Sequence, residues 1–209
     1  MTATRRETFD DLMARPDDGY LYELVRGEIA RMPPPKEDHG YIEAGLVAAV
    51  DRYLYRRALT LGWEESRGRS ARDRLVGRLV SGESGVRFSL PDDPDQTRGL
   101  DMGYVSTEQV ARLGPVRVAE YMTEMPILVA EVISFCETAT YINEKVADYV
   151  AGGARLVWLL YHKTRTVAVH YPDGTARTVP AGGVLDGDTI LPGFAERLIN
   201  IFPDDGAGG

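Results

Sequence analysis

Cys136 is the only cysteine in 209 residues, which excludes a disulfide framework and a cysteine-rich zinc site. No window comes near the ~18 uninterrupted apolar residues of a membrane-spanning helix. The N-terminus, MTATRRETFDDLM, lacks the apolar core of a secretory signal, so a cytoplasmic protein with no membrane partner is expected. Basic charge is also short. With 24 Lys and Arg against 32 Asp and Glu, the formal charge is −8, which argues against generic electrostatic binding of nucleic acid. No internal repeat or low-complexity segment occurs. What remains, 44% hydrophobic and 27% charged residues, is ordinary globular composition. The length suits one domain over residues 1–209, with 1–8 and 203–209 expected to fray.

The positive charge that exists is unevenly placed. Arg67, Arg69, Arg72, Arg74 and Arg78 face one acid, Asp73. Such a stretch is either a solvated edge or a strip that contacts a nucleic-acid backbone.

Along the chain, Thr8 to Met13 suggests a short helical turn. Tyr20 to Met32 alternates around Arg26-Gly27, the signal of an N-terminal β-hairpin. Pro33-Pro34-Pro35 ends that pairing. From Glu37 to Leu61, Ile42, Leu46, Ala49, Val50, Tyr53 and Leu54 recur at helical spacing, which predicts a long amphipathic helix stopped by Gly62. Residues 63–105 suggest strands over Trp63–Ser66, Arg74–Val80, Val86–Leu90 and Leu100–Val105. Turns are expected at Ser81–Gly85 and Pro91–Gly99, and Ser106–Leu113 could be a short helix. Ile127–Ile133 and Leu156–Tyr161 are apolar enough for strands buried on both faces. A helix over Ala139–Ala151 between them, closed by Gly152-Gly153, completes a βαβ unit. Thr166–Tyr171, Ala176–Val179 and Leu185–Leu191 extend the chain as β-structure, and Phe194–Ile201 as a short helix or docked tail. The expected fold is α/β, a mixed β-sheet flanked by helices with a C-terminal β extension.

Glu131 interrupts an apolar, β-branched run, a costly place for a carboxylate that is not paired, hydrogen-bonded or bound to a cation. Asp101, in the alternating segment LDMGYV, could share a hard divalent cation with it if the two strands pair. Lys145 can be placed by helical geometry. With Ile142 at zero and about 100° per residue, Tyr149 falls near −20° and Lys145 near −60°, at the rim of the buried face. Its ammonium could reach the end of the preceding strand. Glu144 and Asp148 turn further away and are expected on the surface. Cys136 follows the strand, but no histidine-linked setting recommends it as a nucleophile.

The segments Tyr22-Glu23-Leu24-Val25-Arg26-Gly27-Glu28, Met32-Pro33-Pro34-Pro35 with His39-Gly40, Leu100-Asp101-Met102-Gly103-Tyr104-Val105, Leu128 to Ser134, Glu144-Lys145-Val146, Arg155-Leu156-Val157-Trp158 and Leu191-Pro192-Gly193-Phe194 together carry a resemblance. In order and spacing the chain, over about residues 8 to 202, resembles the Uma-two family of restriction-endonuclease-like proteins within the PD-(D/E)xK nuclease superfamily. The resemblance implies a restriction-endonuclease-like core and a divalent-metal site. Asp101 and Glu131 would be the two acids and metal ligands, with Lys145 a relocated lysine because Ile133 stands at the usual lysine position. Leu100 and Phe135 replace prolines of the pattern. Glu23 and His39 match further positions near the site, Glu23 as an added ligand and His39 as a phosphate contact or proton shuttle.

These readings imply an endonuclease dependent on Mg2+ or Mn2+, acting on DNA, with Asp101, Glu131, Lys145, Glu23 and His39 as its site residues and a homodimer as the assembly suited to duplex cutting. Two alternatives stand beside it: a non-enzymatic homodimeric binding or regulatory module that keeps the fold, and a hydrolase of small phosphate compounds.

Overall fold

The computed structural model describes residues 5–134 and 137–204, so the readings on Phe135 and Cys136 lie outside the described residues. The elements follow in chain order: α1 (Phe9–Met13), β1 (Leu21–Val25), β2 (Glu28–Met32), α2 (Glu37–Thr60), α3 (Arg69–Val76), β3 (Arg78–Leu90), β4 (Asp93–Val105), α4 (Thr107–Leu113), β5 (Leu128–Ile133), α5 (Ala139–Gly152), β6 (Leu156–Tyr161), β7 (Thr166–His170), β8 (Ala176–Val179), β9 (Val184–Gly187) and β10 (Leu191–Arg197). An eight-stranded mixed sheet carries helices on both faces, and β9 and β10 form a separate ribbon. This is the expected α/β architecture with its N-terminal hairpin and C-terminal β extension. β5 and β6 run parallel, Leu128 opposite Leu156, with α5 as the crossover, and the other paired strands are antiparallel.

Two cores follow from the alternation of the buried strands. Leu128, Ala130 and Val132 of β5 face the layer built from α2 and the ribbon, where Leu46, Val50, Leu54, Trp158 and Phe194 pack. Val129 and Ile133 face the α5 layer with Phe88, Leu100, Tyr149 and Leu159. Truncating a fully buried leucine such as Leu54 to alanine costs about 2–5 kcal/mol. α5 is bounded by local chemistry. Thr138 accepts from the Tyr141 amide at its start, and Gly153, at φ 115°, closes it in the left-handed conformation that glycine adopts without strain.

Several expectations for residues 1–105 are corrected. Residues 5–8 are docked rather than frayed: the Glu7 amide donates to the Gly27 carbonyl, and Arg6 reaches Asp93. Trp63 is buried ahead of a 3-10 turn at Glu65–Arg67, in place of a strand. Arg74–Val76 ends a helix, α3, whose Ala71 and Val76 enter the core. Ser81–Gly85 and Pro91–Gly99 are mostly not turns but lie within two 13-residue strands. At the other end, Phe194–Arg197 is strand and only Leu198–Asn200 is helical.

Two irregularities of this long hairpin position the site. First, the β3–β4 register slips between Ser81 and Ser84. Gly82 at φ 74° and Glu83 at φ 55° absorb the extra residues, a bulge that re-aims the Glu83 side chain. Second, the edge of β4 opposite β3 is shared. β1 pairs there at Thr97 and β5 only from Met102, leaving Arg98 to Asp101 without a strand on that side. Side chains take over in the gap: Glu23 Oε1 accepts from the Gly99 amide at 2.9 Å, and Asp101 Oδ2 accepts from the Val132 amide at 2.6 Å.

Candidate active-site cleft

The gap opens into a cleft of about 490 Å3 lined by, among others, Glu23, His39, Glu83, Asp101, Glu131 and Lys145. A larger groove of about 960 Å3 lies against α2 and α3, but the titratable groups concentrate in the smaller cleft. All five expected site residues therefore converge on one cavity, from β1, α2, β4, β5 and α5.

They do so in distinct groups. His39, the third residue of α2, places Nε2 3.0 Å from Asp101 Oδ1. Burial alone would lower the His39 imidazole, but the hydrogen bond and charge of Asp101, with smaller pulls from Glu83 and Glu43, hold it above its ordinary value. Glu83 comes in from the bulge. One donor atom each from His39, Glu83 and Asp101 all lie within 4.8 Å of one another. Burial and then the Asp101 charge push the Glu83 carboxyl up to about 7. Gly99 makes the room, since a Cβ there would sit 2.7 Å from Glu83 Oε2.

Glu131 is engaged elsewhere. Its Oε2 takes the Lys145 ammonium and its Oε1 accepts from the Tyr149 hydroxyl at 2.8 Å. Burial pushes the Glu131 carboxyl up to about 8, with Asp101 adding and Lys145 opposing. Burial alone would lower Lys145, but Glu131, then Tyr149 and Glu23, hold it well above its ordinary value. Because an ammonium and a hydroxyl both donate to Glu131, we assign the proton to lysine and a carboxylate to Glu131.

Glu23 belongs to a third group. Its Oε2 accepts from Arg98 Nη1 at 2.9 Å. Arg98, wholly enclosed, also reaches the Tyr141 hydroxyl at 3.0 Å and Asp148 Oδ2 at 2.7 Å. Gln96 and Arg26 complete the partners of Asp148. The surface expectation for Asp148 is thus corrected: α5 buries a wider arc because a buried arginine on β4 waits opposite. Glu144 is exposed as expected.

The chain matches, over residues 6–201, the family Uma2, described as "Putative restriction endonuclease". It belongs to that family. A similar fold is seen in the crystal structure of "a putative nuclease belonging to DUF820" from Anabaena variabilis, with a TM-score of 0.70 and 16% identity over 93% of this chain and 97% of that one. No match was found among curated proteins. Together these give the chain a nuclease-like fold and place it in a family of nuclease type.

The fold divides the arginine stretch. Arg72 is buried, with Nη2 2.7 Å from Asp51, and Arg78 faces Asp73 at 3.7 Å and the Gly114 carbonyl at 2.5 Å. The cause is helix α3, which turns Arg72 inward where an extended strand would not. Arg67, Arg69 and Arg74 stay exposed. Sequence reasoning missed Glu83 because Ser-Gly-Glu-Ser-Gly has turn composition. The available signal was a glycine–acid pair inside otherwise alternating sequence, which also describes a glycine-led bulge. Tyr149 was placed on the buried face of its helix, but its bond to Glu131 could not be read from spacing.

Proposed function

We propose that this chain is a divalent-metal-dependent endonuclease that hydrolyses phosphodiester bonds of DNA. The carrying observation is that a cation-competent cluster and a buried lysine held in its charged form line one cleft. The donor set fits such an ion: two carboxylates and an imidazole crowd together, and like-charge crowding of Glu83 and Asp101 is what a bound cation relieves. Asp101 and His39, with Glu83 beside them, would hold it.

When bound, the ion supplies a water of lowered pKa and neutralises charge on the scissile phosphate. The protein's own groups do the rest. Asp101, fixed by the Val132 amide and His39, keeps its orientation without substrate. Lys145, pinned by Glu131, presents a positive charge to the phosphoryl oxygens at no reorganisation cost. With the ion bound, His39 would serve it as a neutral imidazole ligand in place of the proton shuttle that the resemblance implies. Glu23 with Arg98 braces β4 beneath them. A symmetric homodimer would suit cutting of both strands, and light scattering would detect it.

Supercoiled plasmid incubated with the protein and Mg2+ or Mn2+ provides the test. Nicking or linearisation by wild type that Asp101→Asn and Lys145→Met both lose supports the reading. Cleavage that both retain overturns it. Salt-sensitive DNA binding without cleavage would instead support the non-enzymatic binding module, which the acidity of the chain favours.

A further inference from the structure

We propose that the cleft takes an unpaired stretch of a DNA strand, with a phosphate at Lys145 and a neighbouring base stacked in an adjoining recess lined by Tyr20, Tyr22 and Tyr121. The inference rests on the nuclease reading and names the form of its substrate.

The recess encloses about 460 Å3. Leu21, Glu23, Met32 and Glu83 line both it and the cleft, so the two cavities adjoin across those four side chains. Met13 and Tyr20, at 55% and 42% exposure, line the recess and stand among the large apolar residues that the fold leaves in water. An aromatic, apolar surface left open beside a charged cleft marks a binding groove.

Each ring is held before any ligand arrives. The Arg31 guanidinium lies 3.5 Å from the centre of the Tyr20 ring and donates to Asp18 at 2.8 Å. The Tyr22 hydroxyl donates to the same carboxylate at 3.1 Å. Tyr121 stands edge-on to Phe9, with ring centres 5.2 Å apart. Gly85 admits it, since a Cβ there would collide with the Tyr121 ring. The Met122 amide donates to the Gly85 carbonyl at 2.9 Å and fixes the backbone beside that ring. Rings fixed in this way lose little freedom when a base stacks on them.

Charge sorts a nucleotide between the two cavities. The cleft supplies Lys36, Lys145 and, by the nuclease reading, a bound ion to receive a phosphate. The recess sets Asp17 and Glu120 against Arg15, with no lysine. A phosphate is repelled there, whereas the amino groups on base edges find acceptors. A base inside a duplex is stacked on both neighbours and meets a ring only after leaving the stack. A second strand would also need a cationic track, and the fold has turned Arg72 and Arg78 toward Asp51 and Asp73 instead. The chain's charge of −8 opposes the remaining phosphates of a duplex.

Fluorescence anisotropy of labelled oligonucleotides, with the full chain and Ca2+ present, tests the proposal. A single strand, and a duplex carrying a mismatched bubble, should each bind more than ~10-fold tighter than the perfect duplex of the same sequence, the order expected of stacked bases. Tyr20→Ala and Tyr121→Ala should each weaken single-strand binding about 10-fold, whereas Tyr20→Phe, which keeps the ring, should not. A fluorescent adenine analogue placed at successive positions should be quenched at one of them by wild type and not by Tyr20→Ala. Tyr20 is exposed, so its variants carry the test should Tyr121→Ala not fold. A perfect duplex bound as tightly as the single strand overturns the proposal, as does wild-type affinity in the Tyr20→Ala protein. Plasmid cleavage that Asp101→Asn abolishes, without any preference for unpaired strands, would sink this proposal and leave the nuclease reading standing. Single-strand binding that depends on Tyr20, in a protein that cleaves nothing with Mg2+ or Mn2+, would sink the nuclease reading and leave this one.

Discussion

Glu131 and Lys145, fourteen residues apart on β5 and α5, meet as a carboxylate and an ammonium that are both buried. The contact resolves the cost of a glutamate in an apolar strand and brings the lysine to the cleft with one bond.

Breaking that pair from either side should be expensive. Glu131→Gln or Lys145→Met leaves a buried partner uncompensated and is expected to lower stability by about 3–5 kcal/mol, while the double variant loses much less. Urea denaturation of all three measures the non-additivity. Additive losses would show that the two charges are not coupled.

Gly99→Ala tests how Glu83 is admitted. The new Cβ would lie 2.7 Å from Glu83 Oε2, so the carboxylate must move away from Asp101. Mn2+ affinity should fall about 10-fold while the melting temperature shifts only slightly, since Gly99 needs no left-handed backbone. Calorimetry beside a thermal melt separates the two effects, and unchanged affinity would remove Glu83 from the ligand set.

Arg98→Met strands Glu23 and Asp148, whose nearest cation it removes. A loss of about 3–5 kcal/mol is expected, as for other broken buried pairs. Arg26 retains its bond to Asp148, so Asp148 is partly spared. A loss under ~1 kcal/mol, the range of exposed pairs, would mean the network is solvated after all.

The arginines should split by orientation. Arg67→Ala or Arg74→Ala is expected to reduce the slope of log affinity for DNA against log salt by about 1 each if they contact phosphate. Arg72→Ala should leave that slope unchanged and instead destabilise the fold, because Arg72 is buried against Asp51 and Asp73. Fluorescence anisotropy across a salt series decides between these roles.

What was legible in the sequence was whatever a strong period or a costly burial announces. α2 and α5 showed through their apolar spacing, β5 and β6 through unbroken apolar runs, and Glu131 through its setting. The β3–β4 hairpin was hidden because its middle is written in turn residues, although here they serve a bulge inside a strand. Asp148 and Arg98 were hidden for another reason. Arg98 is compensated by Asp148 and Glu23, fifty and seventy-five residues away, and compensation across that separation leaves no local trace. The acids of the cleft were visible one at a time; which of them share a cation and which holds the lysine depended on the gap along β4.

That gap has a consequence for experimental design. Asp101 and Glu23 stand in for rungs of a ladder, each capping an amide that a neighbouring strand would otherwise bind. An alanine at either position removes a carboxylate and also leaves a bare strand edge, the feature through which sheets recruit other chains. Asparagine and glutamine, which keep an acceptor oxygen for the amide, are therefore the inactivating substitutions that should stay soluble, and an inactive alanine variant that aggregates would report on the sheet before it reported on the chemistry.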